Sequence, residues 1–226
     1  MRTRAPHNLD ELVERQAQRW QAAQAVPRRA PFSRCVAISR LPHALGEELA
    51  RQLAEKLDYG LFGIEIVDQI ARAHGVQREL VADLDEHMRS AIERWVVDAF
   101  RGRSFRESDY LRGLVRVVGT LSERGMAVIF GRGAPFILGE ERALRVLVVA
   151  SEEVRARRVA QTQGFSVKEA QARLRADDAE RLAFLRNFVA DPDDPRHFDL
   201  VVNTGSLGVD EGVRLIAGVL HATAGR

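Results

Sequence analysis

The sequence predicts an α/β protein with a central parallel five-stranded sheet and helices on both faces. Three observations carry that prediction. Five short apolar runs of β type, Cys35–Ile38, Tyr59–Phe62, Met126–Phe130, Leu144–Ala150 and Leu200–Val202, alternate with stretches whose apolar residues recur at three and four. The run-and-helix alternation calls for right-handed crossovers between parallel strands. A chain of 226 residues, 46% hydrophobic and 29% charged, can bury one full α/β core with some additions.

Composition narrows the function classes. A formal net charge of +2 implies no strong field for a polyanion. Lys56 and Lys168 are the only lysines, so the basic character is carried by arginine. The single cysteine, Cys35, lies in the first apolar run, which reads as a buried, inert thiol and excludes a disulfide within the chain. No apolar run approaches the roughly 18 residues of a membrane span, and the first residues lack the apolar core of a secretory signal. The expectation is a soluble, unprocessed protein in the cytoplasm, with no membrane partner.

Residues 1–33 stand apart. Leu9, Leu12, Val13, Gln16, Trp20 and Ala23 form a helical stripe, and Pro27 and Pro31 with Arg28 and Arg29 between them make an extended linker. Without aromatic interleaving or a long basic run, this arm reads as a helix packed on the domain or on a partner chain, as in a homo-oligomer, ahead of a nucleic-acid contact.

The first run passes through Ser39-Arg40 and a short loop to Gly46, then into a helix with Leu49, Ala50, Leu53, Ala54 and Leu57 on one face. Strand, loop and helix in this order place unpaired N–H groups and a positive dipole end at the loop, where α/β proteins bind phosphate. A loop of the G-x-x-x-x-G-K-[ST] type uses glycines to curl the backbone, a Lys for the β/γ phosphates and a hydroxyl for Mg²⁺. Here Leu41 to Glu47 contains one glycine and no Lys. Lys56 lies ten residues beyond Gly46, about 15 Å down the helix, and cannot replace it.

Further on, Leu80, Val81, Leu84, Met88, Ile92, Trp95, Val96 and Ala99 keep helical spacing, and Leu111, Leu114, Val115, Val118 and Leu121 repeat it between a Ser108 N-cap and Gly125. The Met and Trp read as core. Met126–Phe130 ends in Gly131-Arg132-Gly133, where glycines let backbone approach a ligand and guanidinium binds phosphate bidentately, the alternative being an Arg paired with a nearby Glu. After Leu144–Ala150, Ser151 caps a helix that opens with Glu152 and Glu153 and carries Arg155, Arg157 and Arg158. Ser166 and Glu169 form a capping box for the next helix. On it, Asp178 and Arg181 lie one turn apart and read first as an intrahelical pair. Residues 191–195, DPDDP, form a loop, Leu200–Val202 the last strand, and Val209, Val213, Ile216, Ala217 and Leu220 the last helix.

Read together, these motifs resemble the cytidylate kinase-like family, a branch of the P-loop nucleoside monophosphate kinases, over roughly Val36 to Leu220. The opening SR-x-x-x-x-x-G-x-E is similar to the family's S-R-x-x-G-S-G-G-x-E-I-A, with Gly46 and Glu48 matching and His43, Ala44 and Leu45 standing for Gly, Ser and Gly. Glu65 matches the family's Y/F-D-x-E-[IL]-I while Gly63 replaces its Asp. Gly131, Arg132, Gly133 and Ala134 match V-G-R-G-A, and Asp194, Pro195 and Phe198 to Thr204 match D-P-x-x-[YF]-D-L-V-[LIV]-N-T.

The resemblance implies a three-layer P-loop NTPase fold over residues 34–226, with a helical insert at about 64–124 over the monophosphate side and a lid-like region at about 155–190. It implies ATP with Mg²⁺ as phosphoryl donor and CMP or dCMP as acceptor. Carried over residue by residue, it nominates Ser39, Arg40, His43, Gly46, Gly131, Arg132, Gly133, Asp178 and Arg181 for nucleotide phosphates, Arg132, Arg155 and Arg158 as catalytic candidates, and no metal ligand. Because Leu45 stands at a glycine position and positive φ is costly for leucine, the loop is expected not to form its nest of N–H groups. The expected activity is therefore weak or lost, with a monophosphate bound better than ATP. The alternatives are an inactive nucleotide-binding or scaffold module and, behind both, a nucleic-acid binder.

Overall fold

The structure, a computed structural model, describes residues 35–64, 67–68, 90, 92–94, 96–97 and 109–223. The N-terminal helix and linker, Glu65, most of the stretch from Leu80 to Ala99 and the Ser108 cap lie outside those residues. The elements in order are β1 (Cys35–Arg40), α1 (Gly46–Leu57), β2 (Gly60–Phe62), α2 (Asp109–Arg124), β3 (Ala127–Phe130), α3 (Ala134–Arg142), β4 (Ala143–Val149), α4 (Glu152–Gln163), α5 (Val167–Leu185), a 3₁₀ turn (Pro195–His197), β5 (Leu200–Asn203) and α6 (Gly208–Thr223).

The five strands form one parallel sheet in the order β2-β3-β1-β4-β5. β1 is central because its run is apolar without alternation, and Cys35 to Ile38 are fully buried. The pleat divides that run between two cores. Cys35 and Ala37, with Ala127 and Ile129 of β3, pack on α2 through Leu114, Val118 and Leu121 and on α3 through Ile137 and Leu138. Val36 and Ile38, with Val128 and Phe130, pack on α1 through Leu49 and Leu53 and on α6 through Val213, Ile216 and Leu220. Each of the large side chains is worth about 1.5–3 kcal/mol when fully buried, which is why helical periodicity and continuous strands in the sequence translate into a three-layer sandwich. Ile92 and Val96, on the long periodic stretch, join the first core as their spacing predicts.

Local chemistry sets the helix ends. Ser151 caps α4 by accepting from the Val154 N–H, and Ser166 with Glu169 closes a reciprocal box on α5. Gly125, at φ 67°, ends α2 by donating to the Leu121 carbonyl. The sequence reading did not anticipate α3. Its Pro135 in the first turn and Gly133 at the N-cap are helix-start signals, but Gly139 interrupts it at φ 68° and its apolar stretch is short.

The chain leaves β1 for α1 on one face and leaves β3 for α3 on the other. Ile38 pairs with Phe130 in register, so Ser39 and Gly131 stand side by side at the carboxyl rim. That divergence opens a crevice in which a parallel α/β sheet receives ligands.

Candidate functional site

The crevice is a cavity of about 690 Å³ lined by residues of β1, the loop after it, the first turns of α1, the turn after β3 and one face of α5. Of the residues nominated from sequence, Ser39, Arg40, His43, Gly46, Gly131, Arg132, Gly133 and Arg181 line it. Arg155, Arg158 and Asp178 are not among its lining residues.

The loop of residues 41–45 departs from the expectation. His43 and Leu45 both adopt positive φ, 60° and 57°, at the two places where the resembled motif carries glycine. The left-handed conformation costs an L-residue on the order of 1–2 kcal/mol, and here the surroundings impose it. Ala44 is fully buried. Arg155 Nη1 donates to the Pro42 carbonyl at 3.3 Å, Arg158 Nη1 to that of His43 at 3.2 Å, and Thr204 Oγ1 to that of Ala44 at 2.7 Å. Three successive carbonyls are thus held from outside, and the loop keeps its curl without glycines. The next helix, α1, has no side-chain cap, so the N–H groups of its first turn, which lines the cavity at Gly46, Glu47 and Glu48, have no intrahelical partner.

Arg155 and Arg158 of α4 are therefore turned to the loop carbonyls and not to the cavity, while Arg157 is exposed. Arg155 is 6% exposed and pairs with Asp178 at 2.8 Å. The intrahelical pair expected between Asp178 and Arg181 is not made, because Arg181 reaches instead to Asp193 at 2.7 Å and to the Ser39 hydroxyl at 3.2 Å. Among the described residues its Nε is buried without a partner. The hairpin of α4 and α5 is drawn onto the carboxyl rim by these bonds and by His43 Nε2, 2.7 Å from Asp177.

Arg132 sits in the turn after β3 at φ 50° and is paired, though with Asp68 and not with a glutamate: Nε donates to Oδ1 at 2.6 Å and Nη2 to Oδ2. Burial lowers its pKa, but the hydrogen bonds and charge of Asp68, with Tyr110 and Glu180, hold the group above its ordinary value. Packing alone already requires the flanking glycines. A Cβ on Gly131 would stand 2.6 Å from Ile64, and one on Gly133 2.6 Å from the Phe188 ring, both at positive φ.

Sequence reasoning missed Asp68, Asp177 and Asp193, and Phe184, whose ring lies under the Arg132 guanidinium, 5.2 Å from its centroid, on the cavity wall. Asp177 and Asp193 lie in acidic doublets that look like solvated helix and loop residues, and Asp68 is 64 residues from its partner. Among the described residues no group of three or more His, Cys, Asp or Glu is arranged to hold a metal ion, and no helix is long and apolar enough to cross a membrane.

Residues 35–206 match the model of the cytidylate kinase-like family. The cytidylate kinase of Methanopyrus kandleri is 28% identical over 189 residues, spanning 78% of this chain and 87% of that protein. The crystal structure of an uncharacterized protein from Eubacterium ventriosum superposes with a TM-score of 0.60 at 18% identity, covering 83% of this chain and 98% of that one, and shares the fold.

Proposed function

The chain belongs to the cytidylate kinase-like family, and from that premise we propose that it binds a cytidine-type nucleoside monophosphate, CMP or dCMP, in the rim cavity, with phosphoryl transfer from ATP slow or lost. The observation that carries the reading is the charge distribution of the cavity. Arg40, Arg132 and Arg181 line it with the uncapped first turn of α1, among the carboxylates of Glu47, Glu48, Asp177 and Glu180, a combination suited to one phosphate group and no more.

The loop side does not fit a Mg²⁺-triphosphate. Glu47 follows Gly46 where a loop of this type carries Lys, so a carboxylate would face the phosphates. Glu48, at the hydroxyl position, is held by Arg51 at 2.6 Å and Gln52 at 2.9 Å. Phosphoryl transfer depends almost entirely on positioning and charge neutralisation, and the two cationic side chains nearest the loop carbonyls, Arg155 and Arg158, are spent on them. That same observation favours the second reading, a nucleotide-binding or scaffold module without turnover.

Sequence signals support a division at residue 33, with the insert at about 64–124 and the lid-like hairpin at about 155–190 belonging to the kinase-like unit. Thermal shift with CMP, dCMP and Mg²⁺-ATP, alongside a coupled turnover assay, tests the reading. A ligand at about one hundred times its dissociation constant adds roughly 2.7 kcal/mol of stability. CMP or dCMP is expected to raise the Tm more than Mg²⁺-ATP, with little turnover. Tight Mg²⁺-ATP binding with efficient CMP phosphorylation overturns it.

A further inference from the structure

Arg132 and Arg181 face the cavity already bound to carboxylates. Arg40 does not. Among the described residues its guanidinium makes no hydrogen bond or ion pair, and it rests on the face of Phe130, 5.0 Å from the ring centroid. Its stem crosses the start of α1. A Cβ on Gly46 would stand 2.7 Å from Arg40 Cβ, 3.0 Å from its Cγ and 3.2 Å from the Phe130 ring. Gly46 is not at positive φ, so what its missing side chain provides is room for this arginine.

The setting leaves that cation uncompensated. Burial, then the charges of Arg181 and Arg132, lowers the Arg40 pKa, against a smaller opposing effect of Glu47. A guanidinium largely withdrawn from water, facing two others and the positive end of a helix, gains most from an anion with several acceptor oxygens. The cation–π contact with Phe130 is worth only about 0.5–2 kcal/mol and satisfies none of its five donors.

We infer that Arg40 is the phosphate-binding side chain of this cavity, laid across Gly46 at the start of α1 to supply the cation that the loop lacks, and that its ligand is a phosphate dianion. The inference deepens the proposed function and rests on it for the identity of the molecule carrying that phosphate.

The test titrates the full chain with inorganic phosphate and, separately, with CMP and dCMP, by calorimetry, for the wild type, Arg40→Gln and Arg40→Lys. Arg40→Gln is expected to weaken phosphate binding at least tenfold, while Arg40→Lys, which keeps the charge and loses the fork, falls between. Gly46→Ala keeps the arginine and displaces its stem, and is expected to weaken phosphate binding at least threefold; it decides the matter if Arg40→Gln does not fold. Phosphate affinity of both Arg40→Gln and Gly46→Ala within twofold of wild type, or no saturable phosphate binding by the wild type, overturns the inference. If phosphate binds through Arg40 but neither CMP nor dCMP displaces it, the inference stands and the nucleotide reading fails. If CMP binds and neither variant changes its affinity or that of phosphate, the nucleotide reading stands and the inference fails.

Discussion

Two turns stand side by side on the carboxyl rim and hold left-handed backbone in opposite ways. The turn after β3 uses glycines at φ 82° and 72° on either side of Arg132, so most of its conformation is inherent in its own residues. The loop after β1 puts His43 and Leu45 into the same region and depends on hydrogen bonds from Arg155, Arg158 and Thr204. Similar shapes can therefore be local in one place and tertiary in its neighbour. Only the first kind can be read from composition.

The largest effect expected from breaking this contrast lies in the self-sufficient turn. Gly133→Ala places a Cβ against Phe188 at positive φ, combining overpacking with left-handed strain, and should cost about 3 kcal/mol. Urea denaturation measures it, and a loss below about 1 kcal/mol would show that the Phe188 ring yields freely. Removing a tertiary support comes next. Arg155→Ala leaves the Pro42 carbonyl and Asp178 without their donor and should cost about 2 kcal/mol. In a double-mutant cycle with Leu45→Gly, the two changes should couple, because a relaxed loop needs the support less; strict additivity would separate the support from the strain.

A smaller effect of opposite sign is expected in the loop itself. Leu45→Gly relieves left-handed strain of an exposed side chain but frees the unfolded chain, for a net gain of up to about 1 kcal/mol. A destabilised Leu45→Gly variant would mean that the leucine packs on something that outweighs its backbone. The smallest concerns pH beneath both turns. Burial pushes the Cys35 thiol up to about 12 from its ordinary 9.0, so its contribution is complete below pH 9 and is lost as pH rises from there toward 12. Denaturant midpoints should accordingly show no pH dependence from this thiol below about pH 9 and a decline above it, and Cys35 should resist alkylation at pH 8 until the protein unfolds.

The sheet was legible because both faces of β1 are buried, so Cys35–Ile38 had to be apolar throughout, and because the caps at Ser151 and Ser166 are set by neighbours in sequence. The cavity's location followed from the strand ends. Its electrostatics did not. Arg132 and Asp68, Arg155 and Asp178, and Arg181 and Asp193 are 64, 23 and 12 residues apart, whereas Asp178 and Arg181 offered a nearer and misleading pair. The loop was misread for the same reason: Thr204 and Arg158 lie 160 and 115 residues from the carbonyls they hold, and nothing in LPHAL announces them.

The clamp on the loop also orders events in time. During synthesis residues 41–45 emerge early, but the groups that impose their shape belong to α4 and to Thr204 after β5. A nascent chain that has completed β1, α1 and even β3 would have the pieces of a rim without its curled loop, since domains are made from the N-terminus onward. The curled form of this loop therefore awaits the docking of the last strand, so the rim takes its final shape only near the end of folding.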